Sequence, residues 1–458
     1  MRNDTVIRYI ISFLLREDQT ISNYLSDMVG YTMDPDEMEQ YKVVIYPSRF
    51  FDLDVYGTPS AIPPNDPPLW HGTPLLYGEN RVARLREGGP LVIYADIVAS
   101  TFFLISRYEE MYYRKKRDQY NRFPGKDSYP ARMGFIHRPI VDEYSDTLRS
   151  LLAKEGVDIP EIPSGFSQIN LTHDIDRPYE YHGIRSFMRA WWHEGKNFFD
   201  AYKLAFRSVL SDRFWSFNRF FVWNREVSQK IPTKCKTIVF YKTPGSEPED
   251  KPNYRVNRYP IHLLRQLAKK YDVEEALHLP LSASKDPSTI ARHVHLLRHD
   301  LQKNIVESRY HYLACGEPED MEFLARAGIR DDYSMGYADV AGFRLGTCRP
   351  VRFIMPNTLQ LTELRLHPLT LMECTLVRPE YMGMNYDAAL SYGIGLIEQV
   401  ARHGGELNIL FHNDSLAKEV HPYLSKLYRD YLRAILQCEQ VRVEQPKEED
   451  FTAVTDTK

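Results

Sequence analysis

The sequence lacks the features that would place a chain across a bilayer or along nucleic acid. No stretch reaches the roughly 18–20 apolar residues that a membrane-spanning helix needs. Charge of either sign is not in surplus: 58 Lys and Arg stand against 62 Asp and Glu, a net of -4, so there is no electrostatic footprint for nucleic acid. Low-complexity tracts are missing. Cysteine is scarce, and Cys235, Cys315, Cys348, Cys374 and Cys438 are an odd number, widely spaced and without C-x-x-C. That excludes a disulfide framework and reads as reduced thiols in a cytoplasmic protein. The first residues superficially suggest a signal peptide, but Arg8 interrupts the apolar run and Glu17 and Asp18 follow it without a small-residue cleavage site. An amphipathic first helix fits better.

What is present is a globular composition, 43% hydrophobic and 26% charged over 458 residues, which is too long for one ordinary core. Two domains are therefore expected. Aromatics are plentiful, with 31 tyrosines. Such side chains line carbohydrate clefts, and they also fill ordinary cores.

Residues 1–160 read as a smaller α/β domain, with strands near 41–46 and 90–94 and a Pro/Gly-rich loop over 59–78. Asp96 is placed to cap a helix over 97–110, and a further helix opens near 140. No catalytic constellation stands out there, and its role is not legible. Residues 160–165, with two prolines and a glycine, form the natural linker. From residue 169 strands and helices alternate. Strands are expected at 169–175, 237–241, 273–279, 308–312, 331–334, 351–354, 371–376 and 407–412. Roughly eight strands with interleaved helices predict an irregular (β/α) barrel over about 165–445. An aromatic helical region follows the first of them, and Trp191, Trp192, Phe198 and Phe199, at helical spacing, are expected in the core rather than as a sugar platform.

The barrel's first strand ends in Asp174 and Asp176. Side chains alternate along a strand, so these two carboxylates leave it on the same side. Like charges that close are costly without a cation beside them, and a divalent metal is the usual solution. A bare D-x-D also occurs at ordinary polar strand ends, so the rest of the chain decides. His278, His311, Asp332 and His412 all fall at or just after the C-terminal end of an expected strand, where active sites of β/α barrels form. Carboxylate plus imidazole suits zinc or a similar divalent ion. His295 and His299 are helical i, i+4 neighbours, yet no Glu follows the first of them and the segment is basic, so a solvated face is expected. His173 is expected to be packed rather than liganding.

These residues resemble a known family. Thr172-His173-Asp174-Ile175-Asp176 is similar to the T-F-D-D-G motif of NodB-type polysaccharide deacetylases, and Leu410-Phe411-His412 to their closing L-x-H motif. Residues 96–104, 308–313, 332–339 and 342–350 resemble a bacterial branch with an extra N-terminal domain. The resemblance implies a metal-dependent hydrolase that removes acetyl groups from N-acetylated sugars. It implies Asp174 as general base and Asp176 as metal ligand, while His412, an imidazole suited to proton transfer near neutral pH, is the candidate general acid. The family's H-[ST]-x-x-H motif starts at His278 here but meets Ser282 at its last position. His311 is then the candidate for the missing ligand. Arg344, or alternatively Arg349, is the candidate for the family's R-x-P arginine, and Asp332 for a residue that orients a histidine. The implied cofactor is a divalent metal ion, zinc first, and the implied partner a saccharide carrying N-acetyl groups. No protein partner is evident. Two other classes stay open: a saccharide-binding barrel without hydrolysis, and another metal-dependent amidohydrolase or phosphoesterase.

Overall fold

The computed structural model describes residues 3–18 and 21–444. Its first helix, Asp4–Leu15, starts where the Asn3 side chain accepts from the backbone N–H groups of Thr5 and Val6. It stops at Arg16, whose φ of 58° leaves the helical region. Val6, Ile7, Ile10, Ile11, Leu14 and Leu15 form its buried stripe, turned toward the helix Ile140–Lys154.

The strands β1 (Val29–Tyr31), β2 (Val43–Ile45), β3 (Leu69–Trp70), β4 (Thr73–Pro74), β5 (Gly78–Arg84) and β6 (Leu91–Ala95) follow. β3 and β4 pair with each other, and the rest form a sheet in the order β1-β2-β6-β5 with only β5 antiparallel. Asp96 caps the helix Ile97–Ile105 by accepting from Ala99 N at 2.9 Å. Residues 157–167 hold no helix or strand.

The second sheet contains β7 (Gln168–Ile175), β8 (Cys235–Lys242), β9 (Glu274–Leu279), β10 (Glu307–Tyr310), β11 (Asp331–Met335), β12 (Val351–Met355), β13 (Gln360–Pro368), β14 (Leu371–Met372) and β15 (Glu406–Leu410). Its order is β12-β13-β11-β10-β9-β8-β7-β15-β14. Every pair is parallel except β12 with β13, and helices lie between most successive strands. This is the mixed α/β arrangement that the alternation predicts. The ladder itself runs from one edge to another rather than around a ring. The turn from β13 to β14 nevertheless touches both flanks, because Leu369 N donates to Met335 O at 3.0 Å and Thr370 N to Asn408 O at 3.1 Å.

One apolar core cluster extends from Val6 through both sheets to Ile435. Buried ion pairs cross between the sheets as well. Arg344 donates to Glu110, which also holds Arg107, and Arg349 donates to Asp142. A third network sits at the N-terminal end of the second sheet, where His367 lies between Glu406 at 2.7 Å and Asp331 at 2.9 Å.

Four local expectations differ. The helix expected over 97–110 breaks into Ile97–Ile105 and Tyr108–Tyr112 at Arg107, whose φ is 61°. β13 was not expected as a strand, because its outward positions carry Glu363 and Arg365 and mask the apolar alternation. The strand expected over 371–376 ends at Met372, and a helix, Glu373–Val377, begins where the Glu373 side chain turns inward to His412. Trp191, Trp192, Phe198 and Phe199 are at the surface rather than in the core.

Candidate metal centre and cleft

β7 alternates strictly. Ile169, Leu171 and Ile175 pack in the core, while Asn170, Thr172 and Asp174 form a buried polar row on its other face. Asp174 closes that row at the strand's C-terminal end. Arg309 on β10 is fully buried and donates from Nη1 to Asp174 Oδ1 at 2.8 Å and to Thr172 Oγ1 at 2.9 Å. Its Nε donates to Tyr333 O at 3.0 Å, and the guanidinium lies 4.3 Å from the centre of the Phe240 ring. Asp174 Oδ2 is left 3.6 Å from His278 Nε2.

Asp176, two residues on, is the hub. Its Oδ1 lies 3.1 Å from His278 Nε2 and 3.4 Å from His311 Nε2, and its Oδ2 lies 3.6 Å from His412 Nε2. Burial raises its pKa, but His311 and His278 outweigh that and hold the carboxyl well below its usual range. Two ring orientations are fixed from behind. His278 Nδ1 is 3.0 Å from Arg309 O, and a carbonyl only accepts, so Nδ1 carries a hydrogen and Nε2 is the atom left to face Asp176. His311 Nδ1 faces Asp250 Oδ1 at 3.4 Å, so its Nε2 likewise turns to Asp176; burial disfavours the charged ring, but Asp176 and Asp250 outweigh it and raise its pKa. Two imidazole nitrogens and a carboxylate oxygen therefore converge on one spot. Asp176 Oδ1 and His278 Nε2 are both buried without a hydrogen-bond partner. That costs energy unless a cation lies between them. The donor atoms of Asp176, His278 and His311 lie within 4.8 Å of one another, a two-nitrogen, one-oxygen set that fits a divalent ion with an open position.

Ser282 acts behind this set. Ser282 N donates to Asp250 Oδ2 at 3.2 Å and Leu281 N to Asp250 Oδ1 at 2.7 Å, so the turn after β9 steers the carboxylate that backs His311.

Across the cleft, Glu373 Oε1 takes His412 N at 2.7 Å and faces His412 Nδ1 at 2.8 Å. Burial works against a charged ring, yet the Glu373 carboxylate and Cys374 raise the His412 pKa well above its usual value. Glu373 is correspondingly depressed to about 2, His412 overcoming burial. Nε2 of His412 is then the group turned toward Asp176.

A cavity of about 220 Å³ opens over Asp174, Asp176, His311 and His412. Arg122, Arg177, Lys242 and Arg378 line it, with Glu249 and Asp414 as carboxylates beyond Asp174 and Asp176. Lys242, at the end of β8, is 2% exposed, and its Nζ donates to Asp176 O at 3.2 Å. Arg122 comes from the N-terminal region, where Tyr120 stacks on Tyr312 at 4.6 Å. Tyr312 is held at a φ of 60°, a left-handed conformation unusual for a tyrosine.

Asp174, Asp176, His278, His311 and His412 are thus gathered in one place. Arg344 and Arg349 are not. Arg344 Nε and Nη2 donate to Glu110 at 2.8 and 2.7 Å, and Arg349 Nη1 donates to Phe13 O at 2.8 Å beside its Asp142 pair. The guanidinium at the site is that of Arg309, a charge inside a buried strand, which is itself a sequence signal. Asp332 does not orient a histidine; it accepts from Ser308 Oγ at 2.9 Å and Ser334 N at 3.0 Å. Glu373 and Lys242 were missed although Lys242 ends an apolar strand with a charge and Glu373 directly follows one. Asp250, a loop acid, carries no such mark. His173 is packed, its Nδ1 on Phe411 O at 2.9 Å, and His295 and His299 are exposed.

Residues 3–156 match a family described as a family of unknown function, DUF7033, a stretch that ends before β7. No curated protein matches the chain in sequence. Among solved structures, the chain is similar to a "putative polysaccharide deacetylase" from Mycobacterium smegmatis, at 13% identity and a TM-score of 0.37 over 63% of this chain and 94% of that one. A likeness that slight carries nothing about the fold or activity of this chain.

Proposed function

We propose that the chain is a metal-dependent hydrolase that removes N-acetyl groups from a saccharide, with zinc or a similar divalent ion held by Asp176, His278 and His311. The observation that carries this reading is the convergence of Asp176 Oδ1, His278 Nε2 and His311 Nε2 on one spot, with Asp176 Oδ1 and His278 Nε2 buried and without a hydrogen-bond partner. Such an ion acidifies water and polarises a carbonyl. The residues around it supply the proton handling. Asp174, pinned through Oδ1 by Arg309, presents Oδ2 to take a proton from the attacking water. His412, with Nδ1 on Glu373, gives the Nε2 proton to the departing amine nitrogen. The order of the motifs along the chain, with its resemblance to the NodB-type deacetylases, supports an N-acetyl substrate over other amides.

On this reading residues 1–160 are more than an appendage. Arg122, with Tyr120 stacked on Tyr312, supplies one wall of the cleft. Five free cysteines agree with a cytoplasmic setting.

The test is acetate release from N-acetylated oligosaccharides by metal-loaded protein. Asp174→Asn and His412→Ala should each lower turnover by about 10²–10⁴-fold with metal retained. Variants as active as wild type overturn the roles. Metal-loaded wild type that binds sugar but releases no acetate points to the saccharide-binding barrel. The cationic wall of Arg122, Arg177, Lys242 and Arg378 favours one second reading, a phosphoesterase. Phosphate release from simple phosphate esters, without acetate release, would establish it instead.

A further inference from the structure

Between β7 and β8 the chain forms a helical hairpin, Gly183–Met188, Arg189–His193 and Phe198–Phe206, whose side chains are sorted the wrong way round for a soluble surface. Ala190, Ala201 and Ala205 are buried beneath it. The large apolar groups face outward: Ile184 is 71% exposed, Trp192 63%, Phe199 81% and Leu210 62%. Of the 18 exposed large hydrophobic residues in the described chain, eight fall within residues 184–210, so the exposure is a patch rather than scatter. The rings touch one another: Trp191 stacks on Trp192 at 5.4 Å, and Phe198 meets Trp191 at 5.6 Å.

The charge around this patch is also distinctive. Residues 183–210 carry five Lys and Arg against two carboxylates, in a chain whose net charge is -4. Arg189 and Lys196 share Glu194, and Arg207 is paired with Asp212. Arg185 and Lys203 stay outside these pairs. Tryptophan, phenylalanine and aliphatic side chains rimmed by unpaired cations are the composition of a helix that lies in a bilayer interface.

The hairpin is also tied to the cleft. Asp212 clasps its root by accepting from Glu180 N, Tyr181 N and Phe214 N at 2.9, 3.1 and 2.9 Å. Asn413, the residue after His412, donates to Arg177 O at 2.9 Å and Phe214 O at 2.8 Å.

We infer that residues 183–210 dock on a membrane surface containing anionic lipid, which sets the cleft beside that surface to receive a saccharide carried on a lipid. The lipid-borne substrate rests on the deacetylase reading; the docking does not. The test is co-sedimentation of the full chain with vesicles of phosphatidylcholine alone and of phosphatidylcholine with phosphatidylglycerol. Binding is expected to the anionic vesicles and to be much weaker to the neutral ones. Trp192→Glu with Phe199→Glu should lower the bound fraction at least tenfold. Arg185→Glu with Lys203→Glu, which leaves the apolar patch intact, should lower it only on anionic vesicles. Metal content and acetate release from a soluble substrate should be unchanged in both, so a failed docking and a failed deacetylase assignment give different results. The inference is overturned by wild type that ignores both vesicle types, by binding that survives both pairs of substitutions, or by a dimer in solution that the Trp192 and Phe199 substitutions dissociate.

Discussion

Replacing Arg309 by methionine should be one of the most destabilising single changes in the chain. The guanidinium has no exposed surface and spans three acceptors, Asp174 Oδ1, Thr172 Oγ1 and Tyr333 O, at 2.8, 2.9 and 3.0 Å. Methionine fills much of the volume but leaves Asp174, 3% exposed, as a buried carboxylate without its cation. Breaking a buried pair from one side costs about 3–5 kcal/mol, because the surviving charge is stranded. Asp174→Asn keeps an acceptor for Arg309 in its amide oxygen but leaves the buried guanidinium without a counter-ion, and should cost about 3 kcal/mol, the low end of the same range. The double variant strands no charge, so its loss should fall short of the sum of the two by about 1–3 kcal/mol. The assay is urea unfolding with chelator present, so that metal binding does not add to the measured stability. A loss under about 1 kcal/mol for Arg309→Met, or strict additivity, would refute the view that this pair is a buried, coupled support of the cleft.

Other outcomes follow from the same geometry. Glu373→Gln should lower turnover by about 10–100-fold while metal content stays at the wild-type level, measured by acetate release and elemental analysis. Asp250→Asn should weaken metal affinity by about 10–100-fold through His311, read by competition with a chelator. His367 gives a pH signature: burial lowers its pKa, but Glu406 and Asp331 overcome that and raise it from 6.5 to about 9. A raised folded-state value stabilises fully below the unfolded value and is lost as pH climbs. Stability should therefore decline between about pH 6.5 and 9, by about 3 kcal/mol in all, and His367→Gln should flatten that decline.

The sequence carried much of this site because strand periodicity and strand ends are local signals. The two-residue spacing put Asp174 and Asp176 on one side, and His278, His311 and His412 each fall at or just after the end of an expected strand, so their meeting at the C-terminal ends of parallel strands required only the strand order. The supporting charges were harder to read. Arg344 stands in a motif-like stretch, yet Glu110, 234 residues away in sequence, claims it, and nothing local announces that pairing. Arg309 takes the place beside Asp174 because β7 offers it the carboxylate and the Thr172 hydroxyl while β11 offers the Tyr333 carbonyl. Helical spacing of aromatics could not distinguish an inward from an outward face in the hairpin, since the buried positions there are alanines. β13 was hidden for the converse reason, its solvent face being charged.

The metal is the claim on which the rest depends, and elemental analysis of purified protein tests it most directly. Wild type loaded with zinc and then dialysed should retain about one ion per chain, and Asp176→Ala, which removes the one charged ligand, should retain none. Equal metal in the two proteins, or none in loaded wild type, would contradict the account.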